Sequence, residues 1–204
     1  MIGSRIPIIP EKTLHHRKMP VDRDKIKQAV RLILEAIGDN PDREGLLRTP
    51  DRVARMYEEI FASVGEEPGE KLTLFTSENH DEMIVVKDIP FYSMCEHHLL
   101  PFWGHVSIGY IPGNNQVTGL SSLVRLVEAL AKRPQVQEKM TTDLADIIVN
   151  RLKPLGVIVI IKARHLCIAM QGVKKELSEV ITSAQRGYLR KQITRLEALN
   201  LING

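Results

Sequence analysis

Cysteine is nearly absent, with only Cys95 and Cys167 among 204 residues. Two such residues form no framework of regular spacings, which excludes a disulfide-stapled scaffold and fits a reducing compartment, so the cytoplasm is expected. Aromatic residues are also scarce, at 4%, and Trp103 is the single tryptophan. No apolar run approaches the roughly 20 residues that cross a bilayer, and the first residues lack the basic start, apolar centre and small-residue cleavage site of a secretory signal. Charge of one sign is missing too. The 28 basic and 25 acidic residues leave a net charge of +3. That is a mixed surface rather than the concentrated positive field of a nucleic-acid binder. Neither membrane nor nucleic acid is expected as a partner.

A hydrophobic content of 43% can supply a sizeable core. The chemistry is concentrated in Met94 to His105, which holds one of the two cysteines, three of the seven histidines and the tryptophan. Cys95 and His98 are three apart, so one turn can bring a thiolate and an imidazole to a single Zn²⁺ at about 2.0 to 2.3 Å. Cys167 follows a strand-like run, Val157 to Ile161, in Arg164-His-Leu-Cys167, which predicts that His165 and Cys167 project from one face of an extended chain. Three protein ligands with an open fourth position describe a catalytic zinc, whereas a free cysteine is elsewhere a small buried hydrophobe. Spacing alone leaves both open.

Residues 1–20 lack apolar periodicity and read as a flexible arm. Residues 21–64 read as a helical region. Its first helix runs from Asp22, a candidate N-cap, to Ile37 before Gly38, and its second starts at Thr49-Pro50 and continues to Gly65. Arg52 and Arg55 share a face of that helix, either as a solvated surface or as a grip for an anion. Residues 65–204 read as the catalytic domain. A linker over 65–80 is followed by strands at 83–86 and 106–111 flanking the metal-bearing turn. Helices are expected at 121–132 and 134–152, broken at Arg133-Pro134. Strands at 157–162 and 166–173, the second carrying Cys167, precede a basic helix from about Ser183 to Leu199. This order is α+β.

Several motifs together resemble GTP cyclohydrolase I. They are Glu44 to Arg52, Ser93-Met-Cys-Glu-His-His98, Tyr110-Ile-Pro112, Gly119-Leu-Ser121, Arg133-Pro-Gln-Val-Gln-Glu138, His165-Leu-Cys167 and Thr182-Ser183. The resemblance covers about residues 22 to 190 in order and spacing. It implies the tunnelling fold, a strand-strand-helix-helix-strand-strand unit with an N-terminal helical extension, whose subunits join short sheets into an antiparallel β-barrel. A homodecamer of two pentamers with shared active sites is implied as well. So is conversion of GTP to 7,8-dihydroneopterin triphosphate and formate for folate or another pterin pathway.

Residue by residue, the resemblance makes Cys95, His98 and Cys167 the zinc ligands and His97 and His165 the acid/base pair. It places Ser121 near the ribose, Glu138 and Gln137 on the guanine, and Arg52, Arg55 and Arg125 on the phosphates. From sequence alone, Gln137 and Glu138 read as a polar helix face, and it is the resemblance that reverses that reading. The chain departs from the family pattern at Ser122, where a lysine is usual, and at Gln171, where an arginine is usual. Two cations of the phosphate grip are therefore missing. That motivates an alternative substrate, a guanine nucleotide with fewer phosphates or a modified ribose. A binding subunit without turnover is the remaining alternative.

Overall fold

The structure is a computed structural model that describes residues 21–77 and 80–204, so the arm at 1–20 lies outside the described residues. The chain forms two compact units that divide between Glu66 and Glu67.

The first unit is a pair of helices, α1 (Arg23–Ala36) and α2 (Thr49–Ile60). Asp22 caps α1 as its sequence suggests, its carboxylate accepting from the Lys25 amide at 3.0 Å, and Gly38 follows with φ of 86°. Helix α2 keeps Pro50 in its first turn, but Arg48 occupies the cap position without a side-chain bond, and Phe61 ends the helix short of Gly65. Asp51 joins the two helices, with Arg55 at 3.0 Å and Arg23 and Lys27 each at 3.5 Å.

The second unit begins where a linker was expected. A 3₁₀ turn at Pro68–Lys71 leads into strand β1 (Leu74–Thr76). Next come β2 (Ile84–Cys95), β3 (Pro101–Ile111) and β4 (Gln116–Thr118), which pairs with β1. Helix α3 (Leu120–Ala131), the short β5 (Pro134–Gln135) and α4 (Gln137–Leu152) follow. The chain closes with β6 (Gly156–His165), the single-turn α5 (Leu166–Ala169), β7 (Val180–Gly187), a 3₁₀ turn at Tyr188–Arg190 and α6 (Gln192–Asn203). The main sheet has the order β5-β2-β3-β6-β7, antiparallel except for the β5–β2 edge. It is an α+β fold.

Four expectations need correction. The hairpin strands extend to Cys95 and from Pro101, beyond the expected 83–86 and 106–111, which shortens the connection that carries the metal-bearing turn. Pro134 and Gln135 are extended and pair with Met94 and Cys95, so α4 starts only at Gln137. Cys167 sits on the helical turn α5, because β6 pairs with β3 as far as His165 and the chain then curls. The last strand is β7, in register with β6 from Val180 to Gly187, which pushes the final helix back to Gln192.

Alternation along β6 explains how the sheet is covered. Val157, Val159, Ile161 and Ala163 join the core under α3 and α4, with Leu123, Leu126, Leu130, Leu144 and Ile148. Ile158 and Ile160 point the other way, to Leu189, Ala198 and Ile202 beneath α6. At Gly104 a Cβ would lie 1.9 Å from the Lys162 carbonyl oxygen, so only glycine lets β3 and β6 approach here, two residues from Phe102.

Candidate functional site

The β2–β3 connection builds the first half of the site. The Cys95 amide donates to the Leu100 carbonyl and the Leu99 amide to that of Cys95, both at 2.9 Å, closing a turn over Cys95–Leu99. Leu99 takes φ of 52° to finish it. One turn brings residues three apart to the same side, so Cys95 and His98 converge. The β5 strand then holds this turn against the start of α4, because Cys95 pairs with Gln135 and the Glu96 amide donates to the Gln135 carbonyl at 3.1 Å. Ser93 adds a bond to the Ala131 carbonyl at 2.8 Å. The Arg-Pro-Gln-Val-Gln-Glu motif is thereby delivered to the cysteine turn.

The second half comes from the end of β6. Its last paired residue, His165, lies opposite Phe102, and the two rings stack 4.6 Å apart with their planes 3° from parallel. The α5 turn immediately after it swings Cys167 toward Cys95. The ligand atoms of Cys95, His98 and Cys167 all lie within 4.8 Å of one another. Around a tetrahedral zinc with 2.3 Å bonds to sulfur, ligand atoms stand about 3.8 Å apart, so an inward movement of an ångström or less closes the set. Burial raises the Cys167 thiol above its ordinary range, and the facing Cys95 sulfur adds to the effect. Two thiolates this close repel unless a cation lies between them. The donor set of two sulfurs and an imidazole nitrogen fits a soft to borderline ion such as zinc and is a poor match for Mg²⁺ or Ca²⁺.

The other predicted residues of this unit sit in varied surroundings. His97 is exposed, with Nδ1 3.8 Å from the Cys95 sulfur. His165 is half-buried, and that burial lowers its pKa while the nearby Glu138 carboxylate opposes the change. Glu138 occupies the first turn of α4 and is exposed. Gln137 is 1% exposed, and its amide is engaged with Ile161, Val180, Thr182 and His165. Ser121 and Arg125 are exposed on α3. Ser122 between them is fully buried and meets Thr73 Oγ1 at 2.5 Å, while Arg125 donates to it at 3.2 Å. Position 122 therefore supports Arg125 from beneath rather than presenting a side chain to an anion. Arg52 and Arg55 lie exposed on α2 in the other unit, where Asp51 already neutralises part of the Arg55 charge.

Sequence reasoning passed over Phe102 and Thr141 as parts of the site and named Thr182 only within a motif, without a role. Phe102 carried a signal, since it stands in the same apolar hairpin as the cysteine turn. The sequence profile of the GTP cyclohydrolase I family matches residues 26–203. The chain belongs to the GTP cyclohydrolase I family. Proteins named GTP cyclohydrolase 1 agree across nearly their whole length. That of Pelotomaculum thermopropionicum is 59% identical over 184 residues, 90% of this chain and 98% of its own. The Carboxydothermus hydrogenoformans protein is 57% identical over 183 residues, 89% of this chain and 95% of its own. The Clostridioides difficile protein is 56% identical over 184 residues, covering 89% and 97% respectively. In this family member, Cys95, His97, His98, Gln137, Glu138, His165 and Cys167 gather at one end of the main sheet. Among the described residues, no helix is long and apolar enough to cross a membrane.

Proposed function

We propose that this protein hydrolyses and rearranges GTP to 7,8-dihydroneopterin triphosphate and formate, with Zn²⁺ held by Cys95, His98 and Cys167. The observation that carries the proposal is the convergence of those three donors beside two further histidines and a carboxylate. The chemistry that a zinc ion supplies in such a site is a water made acidic enough to add to carbon near neutral pH.

The remaining steps fall to side chains. Guanine offers two adjacent donors, at N1 and the exocyclic amine, and the two oxygens of Glu138 accept both. His165, whose pKa burial lowers, takes and returns a proton as the ribose opens. His97, in water at the mouth of the site, exchanges protons with the purine ring. Ser121 acts near the ribose. Arg52, Arg55 and Arg125 hold the phosphates. The decamer implied by the resemblance fits an open sheet edge, since β7 has no outer partner among the described residues and exposes Ile181 at 59%.

Incubation of the zinc-loaded protein with GTP should release one formate per pterin formed. Nucleotide binding with no formate would favour a non-catalytic subunit. A second reading draws on Gln171, which leaves the phosphate grip one cation short of the family pattern, and on the Asp51 partner of Arg55. On that reading a guanine nucleotide with fewer phosphates is the better substrate, and kcat/KM for GTP, GDP and GMP separates the two.

A further inference from the structure

Gln137 is fully enclosed at the first turn of α4, and every polar atom of its side chain has a partner. Its Nε2 lies 3.1 Å from the Ile161 carbonyl, 3.0 Å from the Val180 carbonyl and 3.1 Å from Thr182 Oγ1, and its Oε1 lies 2.7 Å from His165 Nε2. Backbone carbonyls only accept hydrogen bonds, so the nitrogen of the amide must face them and the oxygen must face the histidine. The reverse orientation would set three oxygens against one another in a buried site.

The hydroxyls around the amide obey the same logic. Thr141 donates to the Gln137 carbonyl at 2.7 Å and lies 2.6 Å from Thr182 Oγ1. With its single hydrogen used on a carbonyl, Thr141 must accept from Thr182, and Thr182 in turn accepts from the Gln137 amide. The polarity of the whole network is fixed by three carbonyls of the backbone. An amide oxygen aimed at an imidazole nitrogen requires that nitrogen to carry hydrogen.

We propose that Gln137 is a positioning residue that locks His165 as the Nε2–H tautomer, so that Nδ1 is the ring's only lone pair. Stacking on Phe102 fixes the plane of the ring, and the amide fixes its rotation within that plane. The inference rests on the proton-transfer role proposed for His165. It also moves Gln137 from the base-reading role implied by the resemblance to one exerted through the histidine. The tautomer matters because a ring with its lone pair at the wrong nitrogen is inactive in proton transfer even when its position is unchanged.

The test has two parts. In the zinc-loaded protein labelled with ¹⁵N-histidine, nitrogen NMR at pH 8.5, about two units above the ordinary imidazole value, should show His165 with a pyrrole-type Nε2 and a pyridine-type Nδ1. The opposite pattern overturns the proposal and needs no turnover to be seen, so it is distinguishable from failure of the GTP reaction. Kinetics supply the second part. Gln137→Leu should lower kcat by about a hundredfold or more with KM for GTP changed less than threefold, and Gln137→Glu, which as the protonated acid donates its hydroxyl to a backbone carbonyl and still accepts from Nε2, should recover at least tenfold of that loss. A raised KM at unchanged kcat in Gln137→Glu would return the residue to the guanine base and defeat the inference, whether or not the leucine variant folds.

Discussion

Zinc binding by two cysteines should be strongly coupled to protons, and the geometry sets the count. Both thiols must ionise to ligate, and at neutral pH an ordinary thiol, with pKa about 8.5, is almost fully protonated. Burial and the neighbouring Cys95 sulfur raise Cys167 further, so its proton is retained to higher pH than usual. Each proton displaced makes the apparent affinity rise tenfold per pH unit. Two give about a hundredfold per unit between pH 7 and 8. Calorimetric titration of the metal-free protein with zinc, in buffers of different ionisation enthalpy at pH 7.5, counts the protons released and should find two. Cys167→Ser should release one and show a tenfold slope. A parent protein releasing one proton, or a serine variant still releasing two, would refute ligation by both cysteines.

Four further outcomes are expected. His97→Ala should keep its zinc, measured by metal analysis, while losing roughly 10² to 10⁴ in kcat, and loss of metal would make His97 a ligand instead. Glu138→Gln sets an amide donor against the donors of guanine, so KM for GTP should rise at least tenfold, and unchanged binding would remove Glu138 from the base. Gln171→Arg should lower KM for GTP relative to GMP by about tenfold or more, the worth of one charge-assisted bond to phosphate, and an unchanged ratio would show that position 171 does not read the phosphate chain. The Arg186–Asp146 pair joins β7 to α4 at 2.7 Å, with side chains 16% and 22% exposed. Asp146→Ala should cost about 3 kcal/mol in urea unfolding, because a mostly buried guanidinium loses its counterion, and a loss under 1 kcal/mol would show the pair to be solvated.

What could be read in the sequence divides along the range of the interactions involved. The Asp22 cap acts across three residues and the Cys95–Leu99 turn across four, so both are written in adjacent letters. The position of Cys167 is not, because its helical turn follows from where β6 stops pairing with β3, a partner more than 50 residues earlier in the chain. The polar strand Val180–Gly187 is a strand because β6 lies beside it, and its own residues carry little strand pattern.

Ser122 and Gln137 show the same limit and a way past it. The buried stripe of α4 runs through Leu152, Ile148, Leu144 and Met140 at helical spacing, takes in Thr141 beside Met140, and reaches Gln137 at the N-terminal end. Polar residues on an apolar stripe must find partners inside the protein, and those of the Gln137 amide lie 24 to 45 residues away. The stripe on α3 likewise includes Ser122 beside Leu123 and Leu126. Hydrophobic periodicity therefore marks which polar residues are buried even when their partners are too distant in sequence to name. At Gln137 the one partner outside the backbone and hydroxyl network is the histidine of the proposed reaction centre, which is why a glutamine that reads as solvent-facing on local grounds belongs with the chemistry instead.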